Sequence, residues 1–166
     1  MNVWKLIPYH VKDRRDEFAE WSRKHETIAI GWGGTGDLGR NPLPSAAEVK
    51  RRVAAAHPGF VTNSKVNGGS SLWRFHDEMQ VGDLVIIAGT GPRKQTMRVT
   101  GEYYFVATGD DPTHYYEHRR KAQVVPVNSD LLWRAVNGVA SGEGVYSTLV
   151  RCSRQLTEAD VVELSD

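Results

Sequence analysis

The spacing of apolar and polar positions divides the chain into strands and helices. Strands are predicted where apolar residues alternate or run together between turn residues, and helices where they recur every three or four positions. The predicted strands cover residues 3–8, 27–31, 83–87, 97–106, 118–127 and 146–152. The predicted helices cover residues 13–25, the segment from the Ser45 cap to Pro58, the segment from Ser70 or Ser71 to Met79, and a short capped helix from Thr157.

The order of these elements predicts an α+β fold. Helices cluster early in the chain and strands late, which favours a curved, mostly antiparallel sheet or partial barrel with helices packed on it. A length of 166 residues with 40% apolar content predicts one domain over residues 1–166. The absence of a long apolar stretch or a signal peptide, together with a single cysteine, predicts a cytoplasmic protein without disulfides or thiol-bound metal.

The formal net charge is only +1, so any binding of nucleic acid must depend on local basic patches. Three short runs are candidates: Lys50 to Arg52, Arg93 with Lys94, and Arg119 to Lys121. Each run alone is also typical of an ordinary solvated face.

Trp32 is the most informative residue of the chain. It follows an apolar strand and precedes a glycine-rich turn over residues 33–38. No helix is predicted directly after this turn, because Pro42 and Pro44 come soon afterwards. A large flat ring therefore lies at the end of a buried strand, where a planar ligand could stack on it.

The sequence does not support the common catalytic and cofactor-binding motifs, because they are absent or lack the neighbouring elements that they need. Residues 34–39 spell GxGxxG after a strand, but no helix follows to meet a pyrophosphate and no acidic residue stands about 20 positions on. There is no GxSxG or HExxH motif, and His114 with His118 lacks an evident third metal ligand. Aromatic residues on loops remain, since they have no periodic face to fill, although Trp73 is equally explained as a half-buried core residue.

Five segments in order resemble the PUA-like domains of the EVE and YTH group, and most closely the N-terminal PUA-like domain of some Mrr-type restriction proteins. The resemblance runs to about Leu149 and is carried by residues 28–33, 36–38, 82–86, 99–103 and 116–120. It implies a mixed, mostly antiparallel pseudo-barrel with helices around it. It also implies a surface pocket in which aromatic rings hold a modified base.

The resemblance assigns candidate site residues. Trp32 is similar to the tryptophan that forms one wall of the YTH cage, and the loop from Thr108 to Tyr116 corresponds to the second wall, with tyrosine in place of tryptophan. The predicted base-binding residues are Trp32, Gly33, Asp37, Leu38, Trp73, Thr90, Tyr104, Tyr115 and Tyr116. The predicted phosphate-binding residues are Arg93, Lys94, Arg119 and Arg120.

The resulting hypothesis is a non-enzymatic module that reads a modified base in DNA or RNA, without cofactor, metal or membrane, and with a nuclease as a partner protein in a defence setting. An alternative is an enzyme like those of the ASCH branch, acting on RNA or a modified nucleoside through Thr90, Lys94 and Glu102. A third interpretation is a protein-interaction module from a defence or stress operon.

Overall fold

The computed structural model describes residues 1–8, 14–58, 65–89, 95–107, 116–139 and 147–165, without the side chains of residues 65–67. The strands are β1 (Val3–Leu6), β2 (Thr27–Ile30), β3 (Leu84–Ile87), β4 (Gln95–Phe105), β5 (His118–Val124) and β6 (Leu149–Arg151). The helices are α1 (Arg15–His25), α2 (Ala46–Ala56), α3 (Lys65–Trp73), α4 (Ser129–Ala135) and α5 (Glu158–Glu163). A 3-10 turn covers Gly33–Thr35, and a π-helical turn covers Arg74–Glu78.

The strands form one six-stranded sheet in the order β2-β5-β4-β3-β1-β6. Only the β1–β3 pair is parallel, and the other four neighbouring pairs are antiparallel. The predicted α+β class with a mostly antiparallel sheet is therefore confirmed. The sheet is open rather than closed, because β2 and β6 form its two edges and do not pair with each other in the part of the chain described here.

Apolar side chains pack on both faces of the sheet. The buried apolar residues form two cores, and alternate residues of β3 point into different ones. Val85 and Ile87 belong to the larger core, whereas Leu84 and Ile86 belong to the smaller core. The larger core also holds the apolar residues of α2, such as Val49 and Val53. This two-sided burial explains why β3 is a continuous apolar run.

Two predicted helix starts are confirmed by their caps. The Ser45 hydroxyl accepts a hydrogen bond from the backbone N–H of Glu48, 3.3 Å away, at the start of α2. Thr157 and Asp160 cap each other reciprocally at the start of α5. Such caps satisfy backbone donors that have no partner inside the helix. The predicted cap of α1, Asp13, lies outside the described residues.

The predicted start of α3 at Ser70 or Ser71 is wrong, because the helix begins at Lys65 and runs through Gly68 and Gly69. Glycine disfavours a helix by about 1 kcal/mol, so local propensity does not favour a helix through this pair. Close packing requires both glycines here. A Cβ on Gly69 would overlap with the Lys50 backbone of α2, and one on Gly68 would lie 2.9 Å from the Trp32 indole.

Helix α4 was not predicted. The Asn128 side chain caps it by accepting hydrogen bonds from the N–H groups of Asp130 (3.0 Å) and Leu131 (3.1 Å). Leu132 buries its side chain in the smaller core. None of the helices in the described ranges combines the length and the apolar character needed to cross a membrane.

A bulge in β4 determines which residues of β5 lie opposite Tyr103 and Phe105. The register of β4 against β5 shifts between Val99, which pairs with Ala122, and Tyr103, which pairs with Arg120. Two extra residues in β4 preserve the alternation of faces, so Tyr103 and Phe105 stay on the side of Val99, as predicted. The same register brings His118 opposite both Phe105 and Ile30 at the end of β2.

Candidate base-binding site around Trp32

Trp32 adopts a left-handed backbone conformation directly after β2, with φ 69° and ψ 32°. For a residue other than glycine this conformation costs about 1–2 kcal/mol. Hydrogen bonds to its carbonyl hold it in place. The Thr35 N–H donates at 2.9 Å, and the Thr35 hydroxyl donates at 2.7 Å. Strained residues of this kind cluster at functional sites. Glu26 and Asn137 are also left-handed, but they follow the ends of helices α1 and α4, whereas Trp32 follows a strand.

His118 provides a third support for the same carbonyl. Its imidazole is fully buried, with Nε2 lying 3.2 Å from the Trp32 carbonyl and Nδ1 2.8 Å from the Tyr103 hydroxyl. A carbonyl only accepts, so Nε2 carries the proton and Nδ1 accepts from Tyr103. Burial lowers the pKa of His118 to about 4, which keeps the imidazole neutral at pH 7 as this arrangement requires.

Tyr103 extends the network to the glycine-rich turn. Its hydroxyl accepts a hydrogen bond from the backbone N–H of Leu38 at 3.2 Å. Burial raises the pKa of Tyr103 well above its usual value, so the hydroxyl keeps its proton. The rings of His76 and Tyr103 form a T-shaped pair, with centroids 4.6 Å apart. Residues from β4, β5 and the π-helical turn thus fix the backbone on both sides of the turn.

The Trp32 indole is half-buried and packs against the larger core. It rests on α3 at Gly68, where any larger residue would collide with the ring. The neighbouring contact of Gly69 with Lys50 brings α2 close to the same place. One side of the ring therefore packs against α3, while part of the indole remains exposed to solvent.

Glu117 lies beneath the turn and was given no role in the sequence analysis. A Cβ on Gly33 would overlap with the Glu117 carboxylate, so a larger residue there would displace the Glu117 side chain. Its Oε2 is buried and has no hydrogen-bond partner within the described ranges. Burial raises the pKa of Glu117, against the opposing effects of backbone N–H groups, His57 and Arg119. The sequence signal for Glu117 was its place in the run at residues 116–120, and His118 was also considered there with His114 as a metal ligand.

Other predicted pocket aromatics have partners of their own. The Tyr116 hydroxyl donates to the Pro8 carbonyl, and its ring packs edge-on against Phe18 with centroids 5.3 Å apart. The Tyr104 hydroxyl lies 3.3 Å from that of Thr27. Trp73 is half-buried against the larger core. These contacts place Tyr116 against α1, Tyr104 beside β2 and Trp73 against the larger core.

Two predicted pocket residues shape the turn itself. Leu38 is buried in the larger core, with 1% of its surface exposed. The Asp37 carboxylate accepts a hydrogen bond from the Gly39 N–H at 2.8 Å and lies 3.7 Å from the Arg40 guanidinium. Both residues therefore stabilise the turn that follows Trp32.

The predicted phosphate-binding arginines are engaged in structural contacts. Arg120 is almost fully buried, and its guanidinium donates to the carbonyls of Phe75 (2.7 Å) and His76 (2.8 Å) in the π-helical turn. Arg119 donates to the Tyr116 carbonyl at 3.0 Å, and its guanidinium lies over the Trp21 ring. Contrary to the prediction, Arg120 is an interior residue, because it satisfies carbonyls that the helix end leaves without partners.

The remaining predicted residues lie outside the described residues: Thr90, Arg93, Lys94, His114 and Tyr115. Of the alternative catalytic set only Glu102 is described, and its exposed carboxylate lies 3.5 Å from the Arg120 guanidinium. Across the described ranges, no three His, Cys, Asp or Glu side chains come together as a metal-binding cluster.

Comparison with known proteins adds one relationship. No curated protein matches the chain. Residues 4–138 match a family model described as a domain of unknown function, DUF8426. Because the match spans β1 to the end of α4, it includes the whole network around Trp32. The chain therefore belongs to the DUF8426 family.

Proposed function

We propose that this protein is a non-enzymatic nucleic-acid-binding module that holds one modified base, extruded from the strand, against the Trp32 indole. The observation that carries the proposal is the strained backbone of Trp32, held by three hydrogen bonds to its carbonyl. A PUA-like fold of the EVE and YTH type, a cytoplasmic location and a nuclease partner belong to the same proposal.

The energetics of base extrusion suit a ring held in this way. Extruding a base costs a few kcal/mol, and stacking on an aromatic ring returns about 1–3 kcal/mol. A ring that is already positioned does not have to be ordered on binding, which preserves more of that stacking energy. The contacts of Trp32 with Thr35, His118 and Gly68 provide such positioning.

Phosphate contacts near the base are assigned to α2. Lys50 and Arg51 are exposed. Lys50 packs closely against Gly69 of α3, and the adjacent residue, Gly68, packs against the Trp32 indole. Arg51 forms an ion pair with Glu48 on the same helix. The α2 run thus takes the role that the sequence analysis gave to Arg119 and Arg120. A small local patch of this kind agrees with the net charge of +1.

Binding titrations with labelled oligonucleotides test the proposal. The panel pairs a plain 20-base-pair duplex and its single strand with versions carrying N6-methyladenine, 5-methylcytosine or 5-hydroxymethylcytosine. The wild-type protein should prefer one modified form. Trp32→Ala should weaken that binding about 5- to 150-fold, the equivalent of the stacking energy, whereas Trp32→Phe should keep part of it.

Trp133→Phe provides a matched control. Trp133 is also half-buried, but it packs against the smaller core, with the Lys5 ammonium 5.7 Å from its ring centroid. Its substitution should leave the preference unchanged. Equal binding of all oligonucleotides, or a Trp32→Ala variant that binds like the wild type, would refute the proposal.

A further inference from the structure

A polar cavity of about 600 Å³ lies at the edge of the sheet formed by β6, away from the Trp32 site. Its polar lining consists of Asn2, Asn137, Arg151, Ser153, Arg154 and Gln155. Among the described lining residues, two are arginines and none is an aspartate or glutamate. The cavity therefore offers hydrogen-bond donors and positive charge, which suit a phosphate group.

Hydrogen bonds of the backbone and of side chains hold the wall of this cavity in place. The Ser153 N–H donates to the Gly138 carbonyl at 2.9 Å, and the Arg154 N–H donates to the Val136 carbonyl at 3.2 Å. The Gln155 amide donates to the Asn2 side chain at 2.7 Å. These bonds tie the segment after β6 to the end of α4 and to the start of β1, so the cavity is largely formed before any ligand enters.

The arginines stand at the exposed rim. Arg151 is the exposed last residue of β6. Arg154 lies 3.0 Å from the Asp160 carboxylate, yet half of its side chain remains exposed. Between them the Cys152 thiol is buried, and burial raises its pKa to about 12. The thiol therefore stays protonated and adds no negative charge that would repel an anion.

The cavity and Trp32 lie at the same end of the sheet. The pairing directions make β2 and β6 run the same way, and the two sites follow the ends of these two strands. Five neighbouring pairs separate β2 from β6 in the sheet order. At about 4.8 Å per pair this is about 24 Å measured along the sheet. Because sheets twist, this is an upper limit for the distance across it, and it corresponds to at most about seven base pairs of duplex at 3.4 Å each.

We propose that this cavity binds a backbone phosphate of the nucleic acid whose extruded base is held at Trp32. That the phosphate belongs to this nucleic acid rests on the proposed function. The cavity adds a second contact, distant from Trp32, that does not depend on the identity of the base. Such contacts fix the position of a protein on its nucleic acid without reading sequence.

The salt dependence of binding to the plain 20-base-pair duplex tests this inference. Each neutralised phosphate of duplex DNA contributes about −0.9 to the slope of log K against log salt concentration. The double variant Arg151→Ala with Arg154→Ala should make that slope less steep by about 1. It should weaken binding equally for plain and modified duplexes.

The control is Arg23→Ala. Arg23 is a surface arginine with a carboxylate partner, Glu20, at 2.6 Å, and it is about as exposed as Arg154. Its removal should leave the slope unchanged. Thermal unfolding of all variants reports whether they fold, and a surface ion pair contributes about 0–1 kcal/mol, so their midpoints should stay close to that of the wild type.

The outcomes separate the two proposals. An unchanged slope in the folded double variant, or no binding of the plain duplex at low salt, overturns the cavity assignment even where the Trp32-dependent preference persists. A slope that depends on Arg151 and Arg154 without preference for any modified base supports the phosphate site and overturns the base reader. Inorganic phosphate, followed by ³¹P NMR, distinguishes the source of the group: sub-millimolar binding that leaves the duplex bound overturns the backbone assignment.

Discussion

His118 should make the stability of this protein depend on pH. Its imidazole is fully buried, and burial lowers its pKa from 6.5 to about 4. The charges of His76 and His57 act in the same direction, while Asp37 and the Trp32 carbonyl oppose it. The unfolded chain takes up the proton first as pH falls. The contribution of His118 to the free energy of unfolding should therefore fall below about pH 6.5 and level off below about pH 4.

The size of this effect follows from the two pKa values. A gap between 6.5 and about 4 corresponds to about 3 kcal/mol of stability that is present above pH 6.5 and lost below pH 4. Urea denaturation of the wild type and of His118→Gln, each at pH 7, 6, 5 and 4, measures it. The difference between the two curves removes the contribution of the carboxylates.

His118→Gln should be less stable at pH 7, because it disturbs the link between Trp32 and Tyr103. It should also lose about 3 kcal/mol less than the wild type between pH 7 and pH 4. His25→Gln, at the exposed end of α1, should keep the wild-type pH dependence. Parallel curves for the wild type and His118→Gln, or an NMR titration of His118 near pH 6.5, would refute the reasoning.

Three further substitutions have expected effects on stability, all measurable by urea denaturation at pH 7. Gly69→Ala should destabilise the protein by about 1–3 kcal/mol because its Cβ overlaps with the Lys50 backbone, whereas helix propensity alone would give a gain of about 1 kcal/mol. Arg120→Lys should cost at least about 2 kcal/mol, since lysine cannot serve two carbonyls in the geometry of a guanidinium; an unchanged midpoint would contradict this. Trp32→Gly should be about 0.5–1 kcal/mol more stable than Trp32→Ala, because only glycine relieves the left-handed strain; the reverse order would count against that strain.

The sequence predicted the elements whose signals are local. The Ser45 cap, the apolar run of β3 and the alternation in β4 each depend on neighbouring residues, and the structure confirms them. The start of α3 could not be predicted from propensity, because contacts with Lys50 and Trp32 decide in favour of Gly68 and Gly69. Tertiary packing overrides a weak local preference there.

The candidate site was predictable only in part. Trp32 stood out because a large ring followed a strand and preceded glycines, and the structure places it half-buried at that strand end. His118 and Arg120 are charged or polar in sequence, and nothing local shows that β5 turns them inward. Their burial follows from the pairing of β5 with β2 and β4. Pairings between distant strands have no local signal, so these roles emerged only with the fold.

The most direct test of the central claim is an NMR measurement of contacts between the Trp32 indole and the bound base. The indole resonances are assigned by comparison with Trp32→Phe, and the preferred modified oligonucleotide is added to saturation. Stacking of the base on the indole should give nuclear Overhauser effects between indole protons and protons of the modified base. Saturated binding that leaves the Trp32 resonances unchanged, with no such effects, would contradict it.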